Sequence, residues 1–272
     1  MKVFLSVDME GVCGVVNVLQ TDPDKGGRAY EESCRLMTGE ANAAIEGCLD
    51  AGATEILVAD SHWNFTNLIP EDLHEAAILL RGTPRPFSMV QGLDASFAAA
   101  MFVGYHAAAG TPHAIIDHTY TGRIRDILVN GSRVNETGLN AYLAGHHRVP
   151  VVLVTGDAQT AAQARRLIAG VHTVAVKEAT ARFAAANLHP RKAREAIRAE
   201  AAKALADRAR IRPLRAKTPV TISVDFTQSS SADLAELVPG TRRRGGTKVE
   251  FTARDFVEGY RTFVALLHAS RE

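Results

Sequence analysis

The sequence has no cysteine pair. Its three cysteines, Cys13, Cys34 and Cys48, are odd in number and none is spaced as CxxC. That usage argues against a disulfide framework and for a reducing, cytoplasmic compartment. An excess of either charge is missing too: 31 Lys and Arg stand against 30 Asp and Glu, a net charge of +1. Nothing global therefore draws the chain to nucleic acid or to an anionic membrane, and any partner must be recognised locally. No apolar run approaches the roughly 18 residues of a membrane span. Asp8 and Glu10 interrupt the first apolar stretch too early for a secretory signal.

What is there reads as an ordinary globular chain, 46% hydrophobic and 22% charged over 272 residues, long enough for one large α/β domain or two lobes. The first strand organises it. Val3 to Leu5 and Val7 form a buried apolar run that exits through Asp8 and Glu10. Residues two apart on an extended chain point to one side, so the strand delivers two like charges to one spot. Buried carboxylates are costly unless paired or bound to a cation. A metal site, a proton-sharing pair and a solvated turn all satisfy that requirement.

Further along, helical periodicity from about Tyr30 to Asp50 precedes a strand at Glu55 to Ala59, a β-α-β unit that implies parallel strands. Strands follow at Ala76 to Leu80, Ala100 to Tyr105, Arg125 to Val129, Val151 to Asp157 and Thr173 to Val176. Asn130-Gly131 suits a tight turn with Arg133-Val134 returning as a hairpin. A helix opens at Asn135-Glu136, and a long one runs from Pro190 to Ala206. Strands at Val220 to Phe226 and Thr247 to Thr252 alternate with helices at Ser231 to Leu237 and Ala253 to His268. The expected fold is α/β: a mostly parallel sheet flanked by helices, with a smaller C-terminal α/β lobe. Pro213 and Pro219 suggest a catalytic region over residues 1–212 and a smaller region over 213–272.

Polar residues gather where strands end. Asp8, Glu10, His62 and His106 follow the carboxyl ends of expected strands, and His118 and Glu136 lie further on. That edge of a parallel sheet is where ligands bind. Histidines with carboxylates suit Zn²⁺ or a similar ion, and an aspartate can bridge two ions. Two ions about 3.5–4 Å apart activate water and polarise a carbonyl. Each residue alone has a plainer reading. A histidine after a strand is more often packed or on the surface, Asp8 and Glu10 suit a cap and a loop, and Glu136 suits a helix N-terminus.

Five strings in order carry a resemblance: Ser6-Val-Asp-Met-Glu-Gly11, Asp60-Ser-His62, Pro86-Phe-Ser-Met-Val90, Gly104-Tyr-His-Ala107 and Glu136-Thr-Gly-Leu-Asn-Ala141. Together they resemble the DppA-type D-aminopeptidases, dinuclear zinc peptidases that form large ring-stacked homo-oligomers. The resemblance implies two Zn²⁺ ions per subunit held by Asp8 (as the bridge), Glu10, His62, His106 and Glu136. It implies His118 as the catalytic histidine, with His113 competing in the same loop. His118 would accept and return a proton or attack the carbonyl directly. The implied function is removal of N-terminal residues, D-residues among them, from short peptides or amino-acid amides by a homodecamer. An amidase or phosphoesterase on the same scaffold is the alternative enzyme, and a non-catalytic oligomeric binding protein is the alternative outside catalysis.

The remaining candidates have structural readings. Asp60 is either a partner orienting His62 or a strand-end cap. Asp157 suits the N-cap of the following helix. Tyr142 suits the core, and Cys13 a small packed residue. His146-His147 suits a helix C-terminus, and Arg242-Arg243-Arg244 reads as a solvated turn.

Overall fold

A computed structural model describes residues 1–270. The chain opens with β1 (Lys2–Val7), crosses through α1 (Arg28–Asp50) to β2 (Glu55–Asp60), and continues to β3 (Ala77–Leu80) and β4 (Ala99–Tyr105). A hairpin of β5 (Ile124–Val129) and β6 (Ser132–Val134) leads into α2 (Glu136–His146), β7 (Val151–Asp157) and α3 (Ala158–Leu167). Then come β8 (His172–Ala181), β9 (Ala184–Asn187), α4 (Pro190–Ala206), β10 (Val220–Phe226) and α5 (Ser229–Glu236). The short β11 (Arg242–Arg243), β12 (Lys248–Ala253) and α6 (Phe256–Ala269) complete it.

Sheet A has seven strands in the order β3-β2-β1-β4-β7-β8-β9, parallel throughout except for the β8–β9 hairpin. β1 thus has a parallel neighbour on each side, and a strand enclosed this way needs apolar residues on both faces. Val3, Phe4, Leu5 and Val7 supply them, each fully buried. Helices α1 and α4 pack against one another, and α3 packs on β7 and β8. The α/β architecture with a mostly parallel sheet agrees with the sequence reading.

Sheet B is antiparallel, in the order β11-β12-β10-β5-β6. It is not made from the C-terminal segment alone. The β5–β6 hairpin, from the middle of the chain, pairs with β10, and Ile127 and Val129 meet Val224 and Ile222 in register. Ile124, Ile127 and Val129 of β5 are buried, and β10, from beyond residue 213, completes the ladder beside them. The tight turn at Asn130-Gly131 is there, with both residues at positive φ. Helices α5 and α6 lie against β10 and β12, and α2 lies between α6 and strands β4 and β7 of sheet A.

One local reading is revised. β8 runs on beyond Val176 to Ala181 and returns as β9, a hairpin whose residues include exposed alanines with no apolar alternation to announce them.

Candidate metal centre

In-register pairing aligns the ends of β2, β1 and β4. Val7 stands opposite Asp60 on one side and Val103 on the other. The ladder continues past β1: Asp8 N–H donates to Val103 O at 2.8 Å, Gly11 N–H to Gly104 O at 2.8 Å, and Ser61 N–H to Val7 O at 2.8 Å. The segments leaving three adjacent strands therefore bring Asp8, Glu10, His62 and His106 to one carboxyl-terminal edge. The exit of β1 runs so close to β4 that a Cβ on Gly11 would lie 1.9 Å from Tyr105 O. Glu136 arrives from another direction, as the first residue of α2 behind the Asn135 cap, whose side chain accepts from Gly138 N–H. Glu136 is an acid at a helix N-terminus, as its plain reading has it, and its side chain also reaches the cluster.

The side chains converge. His62 Nδ1 lies 3.3 Å from Asp8 Oδ1 and 3.1 Å from Glu10 Oε2. His106 Nε2 lies 3.6 Å from Asp8 Oδ2 and 3.1 Å from Glu136 Oε1. Asp8 thus faces one histidine with each oxygen, the position a bridging carboxylate would take. Two sets of ligand atoms form, Asp8 with Glu10 and His106, and His106 with His118 and Glu136. His118 Nε2 is 3.9 Å from Glu136 Oε1, and its ring stacks on His106. At 21% side-chain exposure against 2–6% for the other five, His118 is the member that meets solvent. His113 is exposed and joins neither set.

Outer partners turn the rings. His62 Nε2–H donates to Thr21 O at 2.7 Å, which leaves Nδ1 to face the carboxylates. His106 Nδ1–H donates to Ala107 O at 3.1 Å, and His118 Nδ1–H to Ile116 O at 2.8 Å, so both present Nε2 to the cluster. Fixing one nitrogen with a carbonyl is how ligating histidines are oriented. Asp60 does not hold the His62 ring. Its carboxylate accepts from Asn67 N–H, Leu68 N–H and Asn67 Nδ2, capping the loop after β2. Asn67 also donates to His62 O at 2.6 Å.

The electrostatics match a cation seat. Asp8 Oδ2, Glu10 Oε2 and His106 Nε2 are buried without a hydrogen-bond partner, a cost that persists unless something else satisfies them. Burial, reinforced by Glu10, pushes Asp8 up to about 7. Burial opposes charge on His106, but Glu136, Asp8 and Glu10 outweigh it and raise the imidazole to about 10. His62 is likewise raised against burial by Glu10 and Asp8. The same negative field that holds protons on these rings would hold a divalent ion in their place. His118 goes the other way, lowered by burial and then by His106. The donor set of imidazoles and carboxylates fits Zn²⁺.

One residue beside the site was not among the site candidates read from the sequence. Lys177, on β8, is 3% exposed and spends all three ammonium protons on the carbonyls of Glu10, Val12 and Val15, at 2.6, 2.8 and 2.6 Å. It fixes the turn that carries Glu10. Burial pushes it down to about 8. A lysine closing the apolar run Val174-Ala-Val176 was the signal in the sequence. Beside it, Glu40 accepts from Cys13 N–H, and Cys13 itself is buried, donating its thiol to Leu188 O. Asp157 is the N-cap of α3 and also accepts from Ile115 N–H, in the loop that leads to His118.

Residues 1–265 match the Peptidase_M55 family, described as D-aminopeptidase. The chain belongs to that family. It is 41% identical to the D-aminopeptidase of Bacillus subtilis (strain 168) over 267 residues, covering 98% of this chain and 96% of that protein. A solved structure, the Zn-dependent D-aminopeptidase DppA from Bacillus subtilis, described as a self-compartmentalizing protease, superposes with a TM-score of 0.96 at 39% identity. That likeness covers 99% of this chain and 98% of the other. Family and fold both agree with the sequence resemblance.

Proposed function

We propose that the protein is a zinc-dependent aminopeptidase that removes N-terminal residues, D-residues among them, from short peptides or amino-acid amides. The observation that carries this reading is the group of buried, unpartnered atoms on Asp8, Glu10 and His106, set among His62 and Glu136 in a member of the D-aminopeptidase family. Asp8, Glu10, His62, His106 and Glu136 would hold the metal, two ions per subunit. Bound zinc acidifies water and polarises a carbonyl.

The chain's own residues supply the proton chemistry. His118 has Nδ1–H tied to Ile116 O, so Nε2 carries the lone pair and faces the cluster from the solvent side. Burial and His106 keep it below the usual histidine range and therefore neutral at pH 7. Nε2 takes the proton from the attacking water and returns it to the leaving amine, a role worth typically 10²–10⁴-fold. Glu136, held by Tyr120 N–H, stays charged and in place. Burial raises its carboxyl, but His106 and His118 outweigh that and lower it.

Self-association completes the proposal: a homo-oligomer, a decamer by family resemblance, that admits small peptides and excludes folded proteins. Large apolar side chains left exposed, Trp63 next to His62 and Ile78 on the outer strand β3, suit subunit contacts. Among the described residues no helix is long and apolar enough to cross a membrane. The three free cysteines are buried, in keeping with a cytoplasmic location.

The test is chelation followed by zinc add-back, assayed on paired D- and L-alanyl peptides. Activity lost to chelator and restored by zinc, greater on the D-alanyl peptide, supports the proposal. Tightly bound metal with no hydrolysis of either peptide contradicts it and favours another metal-dependent hydrolase.

A further inference from the structure

Behind the candidate metal centre lies a second buried polar cluster, none of whose members belongs to the candidate ligand groups. Six side chains form it: Ser6, Ser61, Tyr105, Tyr120, Asn140 and Tyr260. Ser6 Oγ is 2.7 Å from Ser61 Oγ and 2.6 Å from Tyr105 Oη. Asn140 Nδ2–H donates to Tyr105 Oη at 2.9 Å. Asn140 Oδ1 accepts from Tyr260 Oη–H at 2.6 Å, and Tyr120 Oη lies 2.7 Å from Tyr260 Oη and 3.0 Å from Asn140 Oδ1, either of which can take its one proton. Ser6, Tyr105, Asn140 and Tyr260 are wholly buried.

The members are not scattered along the chain. Ser6 stands two residues before Asp8, Ser61 one before His62, Tyr105 one before His106, Tyr120 two after His118, and Asn140 one helical turn after Glu136. Every segment that brings a side chain to the metal centre contributes one member. Tyr260 is the exception, because it comes from α6 on sheet B.

The donors run one way. Asn140 can give its amide protons only to acceptors, so Tyr105 receives and passes its own proton to Ser6, whose hydroxyl donates in turn to Met89 O at 3.0 Å. With Oδ1 facing the two tyrosine hydroxyls and Nδ2 facing Tyr105 Oη and Met89 Sδ, the Asn140 amide has one orientation that satisfies its partners. Aligned chains of this kind strengthen each bond in a low-dielectric interior, and a half-satisfied chain is costly. Tyr120 transmits the constraint directly. Its backbone N–H donates to Glu136 Oε1 at 2.5 Å while its φ is +59°, a conformation unfavourable for a residue with a side chain. The hydroxyl anchor at Asn140 and Tyr260 supplies an attachment that holds the residue there.

We propose that Tyr120, Asn140 and Tyr260 are positioning residues that set the geometry of Glu136 and His118, and that Tyr260 couples sheet B to the zinc centre. The proposal rests on the zinc reading above. Partners that orient ligands from outside typically change metal affinity 10–100-fold when removed.

The experiment compares Tyr120→Phe and Tyr260→Phe with wild type and with Ile222→Val, a trimmed core residue beneath α6. Zinc affinity of the metal-free chain is measured by competition with a chromophoric chelator, alongside melting temperature, kcat and KM. Each hydroxyl deletion is expected to weaken zinc binding at least tenfold and lower kcat with little change in KM. The double variant should lose less than the product of the two. Ile222→Val should lower the melting temperature without moving zinc affinity. Wild-type affinity retained within twofold in both tyrosine variants overturns the proposal, as does an equal loss in Ile222→Val. A wild-type chain that takes up no zinc would instead overturn the zinc reading, and this proposal with it.

Discussion

The rings of His106 and His118 stack, with centroids 4.0 Å apart and planes 12° from parallel. One is buried among carboxylates and raised to about 10; the other, only partly exposed, is lowered by burial and by its neighbour. Under the proposed function, these two histidines in contact would divide the work of the site. His106 has the field that keeps a positive charge beside it, and His118 has the free lone pair.

His118→Ala removes only the second role. The variant is expected to bind zinc as wild type does and to lose about 10²–10⁴-fold in kcat. Metal analysis beside steady-state kinetics checks this. Near-normal turnover with intact metal content would take His118 out of the reaction.

Proton release should accompany zinc binding. In the zinc-free chain His106 keeps its proton up to about pH 10, against an ordinary value of 6.5. A raised histidine contributes stability that is fully present below its unfolded value and is lost as pH rises through the folded one. The metal-free protein should therefore lose this contribution between about 6.5 and 10, while zinc affinity rises over the same window as protons stop competing. Calorimetry at pH 7 in buffers of different ionisation enthalpy should record at least one proton released per zinc.

Lys177→Met strands three buried carbonyls. An unsatisfied buried polar group costs about 1–3 kcal/mol, so urea denaturation should record a loss of about 3 kcal/mol or more. Because Nζ holds Glu10 O, zinc affinity should fall with it. Full stability in the variant would mean that water replaces the ammonium and that the turn at Glu10 needs no clamp.

Much of this arrangement was legible in the sequence because its cause is local. The apolar run of β1 ending in Asp8 and Glu10, and histidines just past β2 and β4, follow from strand geometry and the rule that ligands gather at carboxyl ends. The preference for His118 over His113 came from the family resemblance, and the two differ in burial and in their distance from the cluster. Other features depend on contacts between distant segments, which no window of residues records. The pairing of the β5–β6 hairpin with β10 spans about ninety residues. Thr21 O behind His62 and the three carbonyls around Lys177 are backbone atoms, which carry no side-chain signature. Asp60 looked equally suited to orienting His62 and to capping a loop, and only the fold separates those roles.

The proposed function requires Asp8, Glu10, His62, His106 and Glu136 to form one site, with Asp8 shared by two ions. Zinc content per chain, measured after dialysis for wild type and Asp8→Ala, tests it most directly. Two zinc ions in wild type and at most one weakly held ion in the variant are the predicted result. Two ions persisting in Asp8→Ala would contradict the site.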